Sequence, residues 1–370
     1  MGRVEHGVRS VRRTATHGVW GLGALLLAGC SERLGDEQLT TALSGAATER
    51  CVIEPAAPAV AFSGGFSLAF SAGPLWIFPG ASDAQGQSLG TIGARVSPAD
   101  TKCGYAFDYL RDSQGALLKL LEPDATELDA ARGELVLTPL SGFVTEWQGA
   151  ERGLVFYRKE FVRGFFDVEV VGVGVAALDA DGAAVRLAPG YYPEEPSLTW
   201  LEPQVWGRSA LLGQDGLVYS YRCVNEGPFD DTCRVGRAPL AGISDPAAWK
   251  YRGAFDWESE PKQAAAILAG MGELSVAYNS HIGKYVFAFP PVLSNEVQGK
   301  VGGSPSEVNS LTHHVFDGVP DGFLGIHDLA QHPSLGAGDE IWFSYLSSPD
   351  QSQPGAPEPG VRLVSHRLEL

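Results

Sequence analysis

Polar and aromatic side chains at the start of alternating apolar segments are the residues here that could do chemistry. Glu273 precedes Leu-Ser-Val-Ala-Tyr, where its carboxyl group could exchange a proton with a ligand or lie exposed at a strand start. Trp206 and Arg208 begin a similar segment and could stack on a sugar and hydrogen-bond it, or pack in the core or at its rim. His332 precedes Pro333, where an imidazole could bind a sugar hydroxyl, help to hold a metal or satisfy a buried carbonyl. Glu273 is therefore a candidate catalytic residue, and the other three are candidate substrate-binding residues.

Several familiar catalytic motifs are absent from the sequence. It contains no His-Glu-x-x-His zinc motif and no Walker phosphate-binding loop. His313, His314, His327 and Asp328 invite a metal hypothesis, but no second set of ligands stands at a diagnostic spacing. We therefore predict neither a metal site nor an organic cofactor.

The elements that must position these residues recur along the chain. Five segments share a strand, a turn containing Gly or Asp, and a second strand centred on an aromatic residue. The five aromatic residues are Trp76, Phe156, Tyr219, Tyr285 and Trp342, at intervals of 80, 63, 66 and 57 residues. Alternating side chains with glycine-bearing turns are typical of half-buried β-hairpins. Their recurrence predicts an all-β, five-bladed β-propeller over residues 61–370, with a β-sandwich as the alternative.

Three of these hairpins carry a family resemblance. They contain Trp206-Gly-Arg-Ser-Ala-Leu-Leu-Gly-Gln-Asp-Gly, Gly272-Glu-Leu-Ser-Val-Ala-Tyr-Asn, and Gln331-His-Pro followed by Ile341-Trp-Phe-Ser-Tyr. These runs resemble a bacterial domain-of-unknown-function family of five-bladed propellers similar to arabinanase-like glycoside hydrolases, some of whose members are endo-D-arabinanases. The resemblance implies an axial pocket that binds or cleaves an arabinan-like polysaccharide. It also implies that Glu273 is the general acid.

The first blade departs from the pattern of that family. The family places an aspartate after a Phe-Gly pair, but the chain has Trp76-Ile-Phe-Pro-Gly-Ala-Ser82, with Ala81 at that position. Asp83 could replace the aspartate only if the end of the strand is remodelled. Glycoside hydrolysis needs two carboxyl groups across the scissile bond, and a methyl group cannot serve as either. Two further functions therefore remain open beside hydrolysis: a non-catalytic module that binds glycan or protein, and an envelope scaffold.

The N-terminus predicts export and lipidation. A basic start is followed by a short apolar stretch that ends Leu27-Ala28-Gly29-Cys30, which resembles a bacterial lipobox. We therefore expect a signal peptide over residues 1–29, a lipid on Cys30 and a tether over residues 30–60. Ser31 favours the outer membrane over the inner one. An ordinary signal peptide with a chance cysteine is the alternative.

The remaining cysteines agree with an oxidising compartment. Cys51, Cys103, Cys223 and Cys233 are even in number and allow two disulfides with three possible connectivities. Cys223 and Cys233 could pair across a hairpin, which would leave Cys51 to pair with Cys103. Four buried free thiols are the alternative.

The charge of the chain limits its partners. There are 27 basic and 44 acidic residues, a net charge of −17, and the predicted signal peptide holds several of the arginines. Nucleic acid is not an expected partner, because phosphate binding requires a basic surface. We expect a monomer whose ligand is a polysaccharide or oligosaccharide and whose contact with a membrane is made through the lipid.

Overall fold

The computed structural model describes residue 43 and residues 45–368, apart from 165–166, 226–230, 272, 320–324, 337, 350–351 and 353–355. The predicted signal peptide and lipidation site lie outside these residues. Within the described ranges, no helix is long and apolar enough to span a membrane.

Five antiparallel sheets make up this part of the chain, and each is one blade of a β-propeller. Blade 1 contains β2 (Ala59–Ala61), β3 (Phe66–Phe70), β4 (Gly73–Asp83), β5 (Ser88–Pro98) and β6 (Tyr105–Tyr109). Blade 2 contains β7 (Glu134–Trp147), β8 (Ala150–Gly164), β9 (Asp167–Leu178), β10 (Ala184–Arg186) and β11 (Leu198–Leu201). Blade 3 contains β12 (Ser209–Leu212), β13 (Leu217–Asn225), β14 (Asp231–Pro239), β15 (Lys250–Arg252), β16 (Trp257–Glu258) and β17 (Leu268–Ala269).

The last two blades complete the ring. Blade 4 contains β18 (Ser275–Asn279), β19 (Lys284–Phe289), β20 (Glu296–Gly302) and β21 (His313–Asp317). Blade 5 contains β22 (His327–Gln331), β23 (Glu340–Ser347), β24 (Gly360–Arg367) and β1 (Ala47–Val52). Four short 3₁₀ helices are described in the connections: Ala125–Glu127, Leu240–Gly242, Pro246–Ala248 and Pro261–Gln263. The predicted all-β, five-bladed propeller is confirmed.

The aromatic repeat has a structural cause in the packing between blades. Each repeated aromatic residue lies on the second strand of its blade, on β4, β8, β13, β19 or β23, and is at most 5% exposed. A second strand has a sheet neighbour on either side and a blade packed on either face, so a large apolar side chain there buries most of its surface. The recurrence seen in the sequence therefore marks one structural position in all five blades.

The ring is closed by the N-terminal part of the described chain. Strand β1 pairs antiparallel with β24, from Ala47 opposite His366 to Val52 opposite Arg362. This strand lies within residues 30–60, for which the sequence predicted a tether, so the propeller already includes residues before 61. Blade 5 is therefore assembled from segments far apart in the chain, with β1 as its outermost strand, and the chain runs on from β1 into blade 1.

Both predicted disulfides are present. Cys51 on β1 is bonded to Cys103 in the loop between β5 and β6, so this bond crosses the seam between blades 5 and 1. Cys223 and Cys233 are directly opposite each other on β13 and β14 and form the second disulfide.

Serine hydroxyls connect neighbouring blades around the axis. Four inner strands supply them: Ser67, Ser141, Ser209 and Ser275. Ser209 Oγ of blade 3 accepts a hydrogen bond from Val276 N of blade 4 (3.1 Å). Ser275 Oγ of blade 4 accepts one from Gln331 N of blade 5 (2.9 Å). These contacts hold the inner strands in register with one another. They therefore also fix the positions of the side chains at the start of each inner strand.

Candidate functional site

A cavity of about 360 Å³ lies on the axis, beside the first residues of the inner strands. Blade 1 contributes an uncharged wall, formed by Ser63, Gly65, Phe66, Pro79 and Gly80. The charged side chains on the other walls are Arg158, Glu160, Arg208 and Asp328. A second cavity of about 400 Å³ continues along the axis past the serines of the inner strands and shares Arg208 with the first. The charged groups therefore lie at one end of an axial channel.

Glu273 and Arg208, two of the predicted site residues, are in direct contact. Arg208 Nη2 donates to Glu273 Oε1, and the Leu329 backbone N–H donates to Glu273 Oε2 at 2.9 Å. The Glu273 charge raises the pKa of Arg208 above its ordinary value, which keeps the guanidinium charged. Glu273 itself is only 8% exposed and is not one of the residues that line the two axial cavities. It lies behind Arg208, which does line both cavities.

Asp328 reaches the cavity from an unusual backbone conformation. It has a φ of +51°, in the left-handed region, next to Gly64 of blade 1. A Cβ atom on Gly64 would lie 2.1 Å from the Asp328 Cβ, so only glycine fits at that position. The Asp328 carboxylate lies 4.0 Å from Arg208 Nη2, and about a third (34%) of its side chain is exposed.

The electrostatic surroundings favour the neutral form of the Asp328 carboxyl group. Burial in the recess and the charge of Glu273 raise its pKa. The nearby Arg208, His327 and Arg158 side chains lower the pKa of Asp328 and are outweighed. Asp328 therefore keeps its proton to a higher pH than an aspartate in water.

Arg158 and Glu160 form the opposite wall, and the sequence analysis missed both. They are two residues apart on β8 and so lie on the same face of the strand, with the Arg158 Nε atom 2.8 Å from Glu160 Oε2. Thr138 Oγ1, on the neighbouring strand β7, donates to Glu160 Oε1 at 2.7 Å. The only signal in the sequence is the charged run Arg-Lys-Glu inside an otherwise apolar strand, and such a run is more often solvent-exposed.

Trp206 is a core residue and not part of the cavity wall. Its side chain has no exposed surface, and its ring packs against Tyr251 with centroids 4.8 Å apart. A buried indole has no free face on which a sugar could stack. The predicted substrate-binding role of Trp206 is corrected accordingly, and the predicted alternative of core packing describes its position.

His332 is a buried structural residue. It is 1% exposed, its Nδ1 is 3.0 Å from Ser67 Oγ, and its Nε2 is 2.8 Å from Ser344 Oγ. Its ring stacks on Trp76 at 3.9 Å between centroids. Burial lowers the pKa of His332 to about 3, so the imidazole is neutral. The structure therefore places the His332 imidazole between two serine hydroxyls and not against a buried carbonyl.

Neither Asp83 nor Ala81 lines either of the two axial cavities. Asp83 Oδ1 accepts hydrogen bonds from the backbone N–H groups of Gln85 and Gln87, each at 2.9 Å, and so caps a turn at the end of β4. Ala81 is 1% exposed in the core of blade 1. Asp83 is therefore not placed to act on a ligand in the axial cavity, and the described wall of blade 1 carries no carboxylate.

Metal ligands are not gathered anywhere in the part of the chain that the structure describes. No group of three or more His, Cys, Asp or Glu side chains in these ranges could hold a metal ion. Of the four residues behind the metal hypothesis, Asp328 lines the axial cavity, whereas His313 and His314 lie on β21 at the far side of blade 4 from the axis.

The chain was compared with known families, curated proteins and solved structures. No protein-family model and no curated protein matches it. A presumed hydrolase from Bacteroides ovatus is 12% identical, with a TM-score of 0.57 over 84% of this chain and 86% of that chain. A GH43_1 enzyme from Xanthomonas citri in complex with xylotriose is 11% identical, with a TM-score of 0.46 over 89% of this chain and 92% of that chain. A GH62 hydrolase in complex with xylotriose is 8% identical, with a TM-score of 0.49 over 89% and 99% of the two chains. At 12% identity, the similarity to the Bacteroides ovatus protein concerns the fold alone.

Proposed function

We propose that the axial cavity binds one end or one segment of an oligosaccharide or polysaccharide. The observation that carries this proposal is the convergence of two guanidinium groups and two carboxyl groups, from Arg158, Glu160, Arg208 and Asp328, on one cavity. Sugar hydroxyls both donate and accept hydrogen bonds, so carboxylate acceptors and guanidinium donors together match them. The volume of about 360 Å³ lies within the range of small-molecule sites, roughly 300–1,000 Å³.

Hydrolysis of the bound glycan is the second candidate function, and one observation favours it. Two carboxyl groups, those of Asp328 and Glu160, line the same cavity, and the pKa of Asp328 is raised. A glycosidase needs one protonated and one ionised carboxyl group on either side of the scissile bond. The absence of a carboxylate from the described wall of blade 1, and the use of both Glu273 oxygens by protein donors, favour binding as the leading function.

We further propose that the site works at the cell envelope. Under this proposal residues 1–29 are a signal peptide, and the lipid on Cys30 holds the propeller at a membrane, with the outer membrane preferred. Incorporation of labelled palmitate into the wild-type chain, and its loss in Cys30→Ala with release from the membrane fraction, is the expected result. Equal labelling of both chains would reject the lipid anchor.

Binding is tested by calorimetry of the full chain, in detergent, against arabinan, arabinogalactan, other envelope glycans, arabinotriose and xylotriose. We expect at least one glycan to bind, and Arg208→Met to weaken that binding while the protein remains folded by circular dichroism. The matched control is Arg367→Met, because the Arg367 side chain is 78% exposed and lies outside the axial cavities. A folded wild-type chain that binds none of these glycans would reject the proposal.

The same samples test hydrolysis through the release of reducing ends. Release by the wild type that is abolished in Asp328→Asn and in Glu160→Gln would establish a glycosidase. Binding without release would identify a non-catalytic glycan-binding propeller.

A further inference from the structure

We infer that Asp328 is the acidic residue that contacts the glycan, and that Glu273 is a positioning residue that acts through Arg208 and the Asp328–Leu329 backbone. This inference rests on the proposed glycan site. It reverses the roles expected from the sequence, in which Glu273 was the acid.

The first argument concerns which carboxyl group a ligand can reach. Asp328 lines the axial cavity and has a third of its side chain exposed, whereas Glu273 is buried and lies outside the cavity lining. Among the described residues, no hydrogen bond is made to the Asp328 carboxyl group, and its nearest guanidinium contact, with Arg208, is 4.0 Å long. The oxygens of Asp328 are therefore available to a ligand.

The second argument concerns how the two oxygens of Glu273 are used. One accepts from Arg208 Nη2, and the other accepts from the Leu329 backbone N–H. Both oxygens are therefore occupied by protein donors, and neither is directed at the cavity lining. The same two bonds restrain the Arg208 side chain, which is 32% exposed toward the cavity, and the peptide that follows Asp328.

The third argument concerns the strain at Asp328. A left-handed φ of +51° is uncommon for a residue other than glycine, and it persists only where the surroundings enforce it. Two contacts enforce it here, namely the close approach of Gly64 on one side and the Leu329 N–H bond to Glu273 on the other. Glu273 thus holds Asp328 and Arg208, the two groups that face the ligand, in a single arrangement.

These roles predict how binding depends on pH. The charged groups around Asp328 come from four elements: Arg158 and Glu160 on β8, Arg208 before β12, Glu273 before β18 and His327 on β22. The balance keeps Asp328 neutral above its ordinary range, so its hydroxyl can donate to a sugar oxygen. Binding should weaken as the pH rises through the titration of Asp328, because the charged form loses that donor.

The experiment is a pH series of glycan affinities, with xylotriose and arabinotriose as probes, for the full chain and its variants. In Asp328→Asn the amide remains a donor at every pH, so we expect binding to persist and its pH dependence to disappear. In Glu273→Gln we expect about ten- to a hundredfold weaker binding, because the bond between charged groups that holds Arg208 is lost. We also expect the pH midpoint to move to lower pH, since one negative charge beside Asp328 is gone. Glu273→Asp keeps that charge, so it should lower the affinity and leave the midpoint in place.

The control for these variants is Asp181→Asn, whose side chain is 84% exposed and which should bind like the wild type at every pH. If the wild type binds neither trisaccharide, the proposed function fails, and this inference fails with it. If the wild type binds but Asp328→Asn keeps the same pH dependence, the inference alone fails. An unchanged midpoint in Glu273→Gln with unchanged affinity would likewise reject the positioning role.

Discussion

Acid should destabilise this propeller through His332, because the folded chain takes up a proton on that imidazole only at a much lower pH than the unfolded chain does. Burial lowers its pKa to about 3 in the folded state, against about 6.5 in the unfolded chain. Between these two values the unfolded state binds more protons than the folded state, so the free energy of unfolding falls as the pH falls below 6.5. One pH unit corresponds to about 1.4 kcal/mol, so lowering the pH from 6.5 to 4.5 should cost about 2–3 kcal/mol through His332.

The assay is urea denaturation followed by tryptophan fluorescence at pH values from 7 to 4.5. His332→Gln should be less stable than the wild type at pH 7, by about 1–3 kcal/mol, because glutamine cannot keep both bonds to Ser67 and Ser344. Its free energy of unfolding should nevertheless fall less with acid, by about the 2–3 kcal/mol that the histidine contributes. His366, which is buried and has its pKa lowered to about 4, contributes to the remaining slope in both proteins.

The control is His281→Gln, because His281 is exposed and its replacement should leave the slope unchanged. A His332→Gln variant with the same slope as the wild type between pH 6.5 and 4.5 would refute this reasoning.

Three further predictions are checked by thermal unfolding. Replacing both Cys51 and Cys103 by serine should lower stability by about 4 kcal/mol, the loop entropy expected for a separation of 52 residues; an unchanged Tm would contradict this. Gly64→Ala should lower the Tm and abolish glycan binding, because the added Cβ would overlap Asp328. Gly86 is the control: its φ is +74° and an added Cβ would have no atom within 4 Å, so Gly86→Ala should show the cost of the backbone conformation alone. Asp328→Asn should raise the Tm at pH 7, because the raised pKa of Asp328 means that folding disfavours its charged form. The gain in Tm should vanish below about pH 3.8, where the carboxyl group is protonated in the unfolded chain as well. A gain that persists below that pH would contradict this prediction.

Much of the fold was predictable because its signals are local. Alternating side chains, glycine-bearing turns and one large aromatic residue per repeat reflect burial on the second strand of each blade, and that burial is the same in all five. The disulfides were predictable in part because the four cysteines after Cys30 are even in number, and because Cys223 and Cys233 flank a hairpin turn.

The closing strand was not predictable from its own residues. The segment Ala47–Val52 reads Ala-Thr-Glu-Arg-Cys-Val, which lacks a clear alternating pattern. Its partner β24 begins at Gly360, so the pairing that makes it a strand is supplied by the opposite end of the chain. A short stretch of sequence cannot contain both β1 and β24, so their pairing leaves no local signal.

The candidate site, like the fold, was predictable from the sequence only in part. Glu273 and Arg208 stood out as polar residues at the starts of apolar strands, and the structure brings them into contact. The sequence did not decide whether Trp206 packs in the core or contacts a ligand, and it did not indicate that Asp83 caps a turn. The sequence also gave no reason to select Glu160, because a charged residue in the run Arg-Lys-Glu does not reveal which face of the blade it occupies.

The sequence by itself determined the class of fold, the number of blades and the cysteines available for pairing, since each depends on residue types repeated along the chain. Only the tertiary structure decided which carboxyl groups reach the axial cavity and which one supports them. That cavity gathers Arg158, Arg208 and Asp328 from three blades. Glu273 and Gly64 contact two of these residues from outside the cavity lining. The roles of these residues follow from their burial and from the charges that lie near them, and both are set only when the blades assemble into the ring.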